Sequence, residues 1–375
     1  MSADLGKALI VGGGVAGMAA AISLRKQGVA VDLIDRDPDW RTYGAGITIT
    51  GPTLRAFHHL GVLEEVGAVG ALSDHVKFFT INGEFMGKMP APPLLEGLPG
   101  TGGIMRPALH KILSERTVAA GASVWLGETV ADFQQDDAGV VVQFSGGHEA
   151  RYDLVIGADG SHSTLRERLF PAAPPLVFTG QGCWRMLADR PAEVDSAEIY
   201  FGPNSVKVGF NPCTADKMYL FATISMPGNP HVADEDLADG MRRILEPFGG
   251  RVARIREAVG PDSAVNYRPL FAMLLPAPWH VGRVGLIGDA AHATTPHLAS
   301  GAGIAIEDGL VLAEEMSQAA TVEAGWAAFA ARRYDRARLV VQNSVEIGRL
   351  EQEGGHDDDI MALMGQSTHA LAATI

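Results

Sequence analysis

Residues 7–37, KALIVGGGVAGMAAAISLRKQGVAVDLIDRD, constrain the fold more than any other stretch of the chain. A short apolar run, 8–11, is typical of a buried strand in a parallel sheet. The glycine-rich segment 12–17 matches the pattern G-x-G-x-x-G and passes into an alanine-rich segment that predicts a helix. A second strand is predicted over 29–34 and ends at Asp35. The stretch therefore predicts a βαβ unit that binds a dinucleotide.

The motif glycines and the acid have separate physical roles. Gly12 permits the tight turn, Gly14 lets the backbone approach a pyrophosphate, and Gly17 lets helix and strand pack closely. The helix N-terminus offers unpaired N–H groups and a positive dipole end to phosphates. Asp35 can accept hydrogen bonds from an adenosine ribose. The motif indicates a dinucleotide without saying which one.

The charge balance restricts the partners of the chain. A formal net charge of −14 over 375 residues argues against a nucleic-acid or anionic-membrane partner, since both need a basic face. An anionic cofactor must then be held by individual arginines and backbone donors. The hydrophobic fraction of 47% is that of a globular enzyme rather than a disordered chain.

The two cysteines, Cys183 and Cys213, show no metal-ligand spacing and are too few for a disulfide framework. We expect buried free thiols in a reducing compartment and no metal site. The first predicted strand begins too early to leave room for a signal peptide, and no apolar run reaches membrane-spanning length. A cytoplasmic protein without a membrane partner follows.

Strand and helix patterns continue beyond the first unit. The segment 75–89 predicts a β-hairpin around Asn82-Gly83, and the Pro- and Gly-rich segment that follows, to Gly103, predicts a surface loop. Helices are predicted after Pro52 and after Arg106. Further strands are predicted over 123–126, 140–144, 154–156 and 284–287.

Residues 176–226 differ in character from their surroundings. Short strand patterns alternate with turns and aromatic residues cluster there, which predicts an antiparallel sheet inserted into the first domain. These strands are predicted over 183–188, 198–201, 206–211 and 218–225. Helices are predicted over 234–245, 251–259 and 302–349, the last with an interruption near 317–324.

Three segments occur in a specific order along the chain. The first is the glycine motif, the second is DLVIGADG at 153–160, and the third is RVGLIGDAAH at 283–292, followed by Pro296 and GAG at 301–303. Together with GAGI at 44–47 and with Arg106, they resemble the signatures of single-component flavoprotein aromatic hydroxylases, the p-hydroxybenzoate hydroxylase and salicylate hydroxylase family. The resemblance covers nearly the whole chain.

The resemblance implies an α/β fold with a Rossmann-like FAD-binding domain, an inserted, mostly antiparallel β-sheet substrate domain, and a long C-terminal helix. The FAD-binding domain is expected over 1–72, 104–175 and 276–350. The substrate domain is expected to comprise a hairpin and loop over 73–103 and a sheet over 176–275. Residues 351–375 would form a tail.

By the same resemblance, the glycine loop would hold the FAD pyrophosphate, Asp35 the adenosine ribose and Asp289 the ribityl chain. Arg36 would lie near the adenine and Arg106 near the ribityl-pyrophosphate region. Asp159 would belong to a segment linked to both FAD and NAD(P)H. The other implied cofactor-binding residues are Val15, Ala16, Gly46, Ile47, Val130 and, bordering the isoalloxazine, Pro296, Gly301, Ala302 and Gly303. For Asp159 and Asp289, helix N-capping is an alternative compatible with cofactor binding.

One departure from the family pattern concerns Ala299-Ser300-Gly301, where family members often carry Gly-Gln-Gly. The missing Gln removes any side-chain contact made there, but not a backbone contact. The N-terminus of the following helix could stabilise anionic reduced flavin.

The resemblance also implies a reaction: NADH or NADPH reduces FAD, O2 adds to give a flavin 4a-hydroperoxide, and one oxygen passes to the substrate. That substrate would be a small aromatic or heteroaromatic compound of the phenol, hydroxybenzoate or hydroxypyridine type. The protein would deprotonate or polarise a phenol. No second dinucleotide motif is visible, in keeping with a family that binds NAD(P)H transiently.

Candidate substrate residues lie on the inserted sheet and in the loop after the third motif. His297 is our candidate for a catalytic acid–base or polarising group, with a structural loop histidine as the alternative. Arg185 could bind a substrate carboxylate or pair with an acid on the surface, and Thr48 could face the substrate. An aromatic pocket could be lined by Phe210, Tyr219 and Phe271. Core packing is the more common fate of such residues.

Other functions fit the same motifs. A flavin reductase or dehydrogenase would transfer no oxygen, and a flavin-binding protein would only sequester an aromatic ligand. A flavin-dependent halogenase is disfavoured because the chain has no Trp-x-Trp-x-Ile-Pro segment. The expected assembly is a monomer or homodimer. The apolar tail segments 360–363 and 370–375 could form a dimer interface or pack on their own subunit.

Overall fold

The computed structural model describes residues 5–42, 44–203, 206–354 and 357–375. Strands β1 to β10 are Lys7–Val11, Ala30–Asp35, Gly46–Thr50, Ala71–Ser73, His75–Phe79, Phe85–Pro90, Thr101–Met105, Ser123–Leu126, Val130–Asp136 and Gly139–Phe144. Strands β11 to β19 are Glu149–Tyr152, Leu154–Gly157, Val177–Asp189, Ala197–Phe201, Lys207–Pro212, Lys217–Ser225, Asn266–Ala272, His280–Val281 and Val284–Leu286. Helices α1 to α6 are Val15–Lys26, Gly51–Leu60, Leu63–Val69, Arg106–Ala119, Thr164–Leu169 and Leu237–Leu245. Helices α7 to α11 are Gly250–Ala258, Asp289–His292, Gly301–Gln318, Val322–Glu353 and Asp357–Ala372.

A six-stranded sheet has the order β18-β19-β12-β1-β2-β8 and is parallel except for β18. Strands β1 and β12 are almost fully buried, because the sheet is covered on both faces, and this explains their uninterrupted apolar sequences. Val11 is the register partner of both Ile34 and Gly157, and Gly157 is the partner of Leu286. The strands β1, β2, β12 and β19 therefore end at one edge, where the segments that follow them meet.

A seven-stranded sheet has the order β17-β13-β16-β15-β14-β5-β6 and is antiparallel apart from the β14–β5 pair. One face packs against α6 and α7 and forms a second hydrophobic core. Residues of this core include Trp184, Phe210, Leu220, Met241 and Val252. The opposite face looks toward β3 and β7. Two sheets of different type, joined by a chain that leaves the first and returns to it, confirm the predicted fold class.

Strand β7 corrects the expectation of a loop reaching Gly103. Residues Thr101–Met105 pair with β3 and β4. The glycines serve close strand packing rather than a turn, because a Cβ on Gly102 would lie 2.5 Å from the Ala71 carbonyl oxygen. Strands β9 and β11 are also not predicted by the sequence. They flank β10 in a small antiparallel sheet, and the mostly exposed residues of β9 give no apolar pattern.

Most predicted elements of the remaining chain are confirmed. Strands β5 and β6 form the hairpin around Asn82-Gly83, with Gly83 at φ +86°. Helices α9 and α10 flank the predicted interruption, at residues 319–321. Both cysteines are buried and free.

The tail forms helix α11, which packs against α10 and α2. Leu371 packs with Ile304 and Val340, and Asn343 Nδ2 donates a hydrogen bond of 2.8 Å to Ser367 Oγ. These contacts support packing of the tail on its own subunit. Within the described ranges, no helix is long and apolar enough to cross a membrane.

Candidate active site

The glycine motif lies at the edge of the six-stranded sheet, between β1 and α1. Gly12 has φ +111°, and a Cβ there would lie 2.3 Å from the Ala158 carbonyl oxygen. A Cβ on Gly17 would lie 1.9 Å from the Gly12 carbonyl oxygen, so helix and strand touch as the sequence predicts. A Cβ on Gly14 would meet no atom within 4 Å. The outer side of the loop is therefore open beside the N–H groups of the first turn of α1, which begins at Val15.

Asp35 fixes the glycine loop. Its Oδ2 accepts a hydrogen bond from Gly13 N at 2.7 Å, and its Oδ1 accepts one from Asp37 N at 2.8 Å. Trp40, a residue that the sequence does not single out, donates from Nε1 to the Gly13 carbonyl oxygen at 2.9 Å. Asp35 stays partly exposed and Arg36 is exposed. Both side chains can therefore reach a nucleotide at this edge.

Asp159 caps helix α5. Its Oδ2 accepts hydrogen bonds from Thr164 N at 2.9 Å and from Leu165 N at 3.3 Å, which confirms the capping alternative. Its Oδ1 is buried and has no hydrogen-bond partner among the described residues. Val130 is 7% exposed and packs in the main core, so its side chain does not face an open site.

Asp289 begins α8 directly after the third motif strand, and its side chain is exposed in a cleft. The surrounding protein desolvates the carboxyl and raises its pKa, while the charges of His292 and Arg106 oppose this rise. Burial and the charge of Arg185 lower the pKa of Arg106, which also donates from Nε to the Gly46 carbonyl oxygen at 3.3 Å. Asp289, Arg106 and Arg185 thus belong to one cleft.

The N-terminus of α9 follows the third motif and is partly open to solvent. Pro296 opens the short helical turn Pro296–Leu298 and is exposed, and Gly301 and Ala302 are partly exposed at the start of α9. Gly303 packs on α2, where a Cβ would lie 2.3 Å from Thr53 Oγ1. The first N–H groups of α9 have no partner within the helix and can serve a ligand.

Ala299 stands in the left-handed region, with φ +49°, where the family pattern has glycine. For an L-residue this conformation costs roughly 1–2 kcal/mol, while glycine loses about 0.4–1 kcal/mol more chain entropy on folding. Ala299→Gly is therefore expected to raise the free energy of unfolding of the apoprotein by about 0.5 kcal/mol, measured in urea. Ala327→Gly, at an exposed position of α10, is the control and should lower it. An equal decrease in the free energy of unfolding in both variants would contradict the expectation.

Thr48, Tyr219 and Asn211 form a chain of hydrogen bonds between β3 and the seven-stranded sheet. Thr48 Oγ1 lies 2.5 Å from Tyr219 OH. Asn211 Nδ2 donates to Thr48 Oγ1 at 2.9 Å and to the Gly102 carbonyl oxygen at 3.2 Å. Burial raises the pKa of Tyr219, so its hydroxyl is protonated at neutral pH. The sequence does not single out Asn211; its register pairing with Tyr219 would identify it.

Arg185 projects from the same face of the sheet as Tyr219. Its strand neighbour Leu187 is the register partner of Tyr219, and residues two apart on a strand share a face. Arg185 is half-buried, and no described carboxylate lies within ion-pair distance of it. Because it shares the cleft with Arg106, the arrangement favours an anion there.

The expectation that Phe210 lines the pocket is wrong. Phe210 precedes Asn211 on β15, so the alternation of the strand turns it to the opposite face, where it is fully buried in the second core. Phe271 lies beyond a bulge in the β13–β17 pairing and packs on Phe178, with ring centroids 5.6 Å apart. The structure does not bring Phe271 to Tyr219.

His297 lies in the segment between α8 and α9 and is almost completely buried. Its Nδ1 lies 2.8 Å from Thr295 Oγ1, and its Nε2 lies 3.3 Å from Glu351 Oε2. Glu351 also accepts hydrogen bonds from Lys207 Nζ at 2.5 Å and from Gln181 Nε2 at 3.1 Å. Burial lowers the pKa of His297, so the ring is neutral at pH 7. These contacts favour the structural alternative for His297.

Glu351 connects α10 with the seven-stranded sheet through Lys207. Burial would raise the pKa of Glu351, but Lys207 and His297 outweigh burial and lower it. The stabilisation is therefore fully present above the ordinary carboxyl pKa and is lost as pH falls through the lowered value. Glu351→Gln is expected to reduce the free energy of unfolding by about 2 kcal/mol at pH 7, because Lys207 loses its anion.

Urea unfolding tests this expectation across pH. The difference in free energy of unfolding between Glu351→Gln and the parent protein should stay constant down to about pH 5 and shrink below about pH 4.5. Glu353→Gln is the control, since Glu353 forms only an exposed ion pair with Arg349 and should change stability by less than about 0.5 kcal/mol. A Glu351 effect no larger than this control would refute a stabilising role.

Arg166 joins the second and third motifs, and the sequence alone indicates no role for it. Arg166 is buried and donates to the Ala290 carbonyl oxygen at 3.0 Å and to the Ser161 carbonyl oxygen at 2.7 Å. The cleft as a whole offers an open glycine loop, an unbonded carboxylate oxygen at the second motif, an exposed acid at the third and two arginines. These features fit a long dinucleotide with two phosphates and a polar sugar chain, as in FAD.

The fold and the cleft define an FAD-dependent oxidoreductase with a separate sheet over the cofactor domain. A family model described as "FAD binding domain" matches residues 6–344, and the chain belongs to that family. It is 31% identical to the aurachin C monooxygenase/isomerase of Stigmatella aurantiaca, over 92% of this chain and 89% of that protein. It is 27% identical to the FAD-dependent urate hydroxylase of Klebsiella pneumoniae, over 89% of this chain and 88% of that protein.

A solved structure shows the same relationship in three dimensions. Klebsiella pneumoniae HpxO complexed with FAD and uric acid superposes with a TM-score of 0.82 at 25% identity, covering 98% of this chain and 92% of that one. The resemblance inferred from the sequence is thereby confirmed. The protein is an FAD-dependent monooxygenase of the aromatic hydroxylase type.

Proposed function

We propose that this protein hydroxylates a small aromatic or heteroaromatic compound that carries a carboxylate or an ionised ring oxygen, using FAD, NADH or NADPH, and O2. The observation that carries the proposal is Arg185, a half-buried cation in the cleft without an ion-pair partner among the described residues. An unpaired half-buried charge is costly, and a bound anion would offset that cost. The urate hydroxylase among the relatives is named for a heteroaromatic compound.

The FAD site that supports this function would be assembled from the three motifs. Gly14 and the first turn of α1 would receive the pyrophosphate, Asp35 the ribose, and Asp289 with Arg106 the ribityl region. The α9 N-terminus would border the ring system. Bound FAD supplies electron transfer from NAD(P)H and the activation of O2, while the protein supplies position and electrostatics.

On the substrate side of the cleft, the side chains of Asn211, Thr48 and Tyr219 can each donate a hydrogen bond to the next, in the direction of the substrate. Asn211 donates to Thr48, Thr48 can donate to Tyr219, and the protonated Tyr219 can then donate to a substrate oxygen. Such a chain polarises its last donor and fixes its orientation. With Arg185 on the same face of the sheet, it would hold an anionic ring oxygen or carboxylate and turn one ring edge toward the flavin. His297 would hold the segment between α8 and α9 in place and would not contact the substrate.

The expected domain boundaries are part of the proposal. The six-stranded sheet takes its strands from 7–35, 123–157 and 280–286, and the seven-stranded sheet takes its strands from 75–90 and 177–272. This supports an FAD-binding domain interrupted twice by a substrate domain. We also propose a cytoplasmic location and a monomer or homodimer.

The test is oxidation of NADH and NADPH by the purified, FAD-loaded protein against phenols, hydroxybenzoates, hydroxypyridines and uric acid. Oxygen, peroxide and product mass are followed together. Ligand-stimulated oxidation with little peroxide and a product heavier by one oxygen is the expected result. Electron transfer to an acceptor without oxygen consumption would instead establish the reductase or dehydrogenase alternative. Stimulation by neutral compounds alone would refute the anionic substrate.

A further inference from the structure

Asp308 is a fully buried carboxylate on α9, directly behind the turn that carries Asp289. Its Oδ2 accepts a hydrogen bond from Gly288 N at 2.9 Å and lies 2.6 Å from His292 Nε2. Its Oδ1 accepts a hydrogen bond from Arg333 Nε at 2.8 Å. A carboxylate can only accept, so Nε2 of His292 bears a hydrogen and donates it to Asp308. Three donors from the turn, α8 and α10 thus converge on one side chain.

The turn held by Asp308 has little freedom to move. Gly288 has φ +59°, and a Cβ there would lie 2.9 Å from the Cβ of Ala16 in the glycine motif. Asp289 is the next residue, so its carboxyl follows any shift of Gly288. Asp308 therefore fixes the distance between the first and third motifs, on which simultaneous contact with the pyrophosphate and the ribityl chain depends.

The partner of Asp308 belongs to a larger buried ion network. Arg333 Nη2 lies 3.0 Å from Glu307 Oε2, and Arg336 contacts both oxygens of Glu307 at 2.7 Å. Arg55 of α2 lies 4.0 Å from the same carboxylate. Burial would raise the pKa of Asp308, but His292 and Arg333 outweigh burial and lower it, so the Asp308 carboxyl stays charged at neutral pH.

The outer end of the network is the C-terminus of α11. Arg55 donates to the Ala372 and Ala373 carbonyl oxygens at 2.7 Å each, and Arg336 donates to the Leu371 carbonyl oxygen at 2.8 Å. The last carbonyls of a helix lack partners within the helix and attract cations. Helix α11 lies beyond residues 6–344, which match the family.

We propose that Asp308 is a positioning residue of the FAD site, and that docking of α11 strengthens FAD binding through Arg55, Arg336, Glu307 and Arg333. If the α11 contacts are lost, Arg55 and Arg336 no longer bind the α11 carbonyl oxygens and compete for Glu307. Glu307 then holds Arg333 less firmly, and Arg333 in turn holds Asp308 less firmly. Loss of the Asp308 charge frees the Gly288 amide directly. Both changes act on FAD affinity without touching FAD.

The experiment titrates apoprotein with FAD and follows the quenching of flavin fluorescence. Asp308→Asn keeps the side-chain shape and is expected to raise the FAD dissociation constant about tenfold, the loss of one charge-assisted hydrogen bond. Leu371→Asp, which expels the buried end of α11, is expected to raise it about threefold. Ala362→Asp adds the same charge at an exposed position of α11 and should stay within about twofold.

A double-mutant cycle separates positioning from general destabilisation. If Asp308 acts through Asp289, the Asp308→Asn effect on FAD affinity should fall to about threefold or less in an Asp289→Asn background. A structural role alone would lower the unfolding temperature of the apoprotein and give effects that multiply in the double variant. Multiplying effects, or unchanged FAD affinity in both Asp308→Asn and Leu371→Asp, would overturn the proposal. Leu371→Asp keeps the test valid if Asp308→Asn does not fold.

Discussion

Gly14→Ala is expected to weaken FAD binding about a hundredfold while leaving the apoprotein folded. Gly14 has φ −77° and ψ −175°, a conformation open to alanine, and its Cβ would point into free space within the cleft. In that space the methyl group would block the approach of a pyrophosphate to the α1 N-terminus, costing about two hydrogen bonds to a charged group. Stability of the apoprotein should change by less than about 1 kcal/mol.

Gly17→Ala is the matched comparison within the same motif. Its Cβ would lie 1.9 Å from the Gly12 carbonyl oxygen, and backbone cannot yield as a side chain can. The expected loss is about 3 kcal/mol of unfolding free energy in the apoprotein, measured in urea. FAD titration and urea unfolding of both variants form the test. A Gly14→Ala variant that binds FAD normally would show that the pyrophosphate does not lie at this loop.

Arg185→Ala is expected to lower kcat/KM for an anionic substrate about a hundredfold, because the substrate loses its charge-assisted partner in a half-buried site. FAD affinity should change by less than about threefold, since Arg185 lies on the seven-stranded sheet and not at the phosphate loop. Arg185→Lys should recover part of the loss, because it restores the charge but not the planar fork. Steady-state kinetics with oxygen and peroxide detection measures both the rate and the coupling.

Arg268→Ala provides the control for this series. Arg268 lies on the neighbouring strand β17, is exposed, and carries the same charge. Its removal should change kcat/KM by less than about threefold, as screened surface charges do. A similar loss in Arg185→Ala and Arg268→Ala would indicate a general electrostatic effect. It would remove Arg185 from the substrate site.

The sequence by itself predicted the five parallel strands of the six-stranded sheet and its cofactor edge, but not the short antiparallel strand β18. Strands buried on both faces need continuous apolar runs, and a tight turn or a close backbone contact admits only glycine. Gly12 and Gly17 are required for such local steric reasons, which a single sequence displays. The order of three such segments was enough to indicate the family and the cofactor.

Only the tertiary structure decided which side chains face the cleft. Phe210 and Asn211 are neighbours on one strand, and strand register places Asn211 with Thr48 and Phe210 in the core. Register depends on pairing partners far away in the chain, such as β16 for β15, so no local pattern contains it. The same holds for Arg185, which has no carboxylate within ion-pair distance among the described residues, and for Asp308, whose three donors come from distant segments. The sequence shows the sign of each charged side chain, but the ion-pair partners and the desolvation of that side chain are set only in the folded chain.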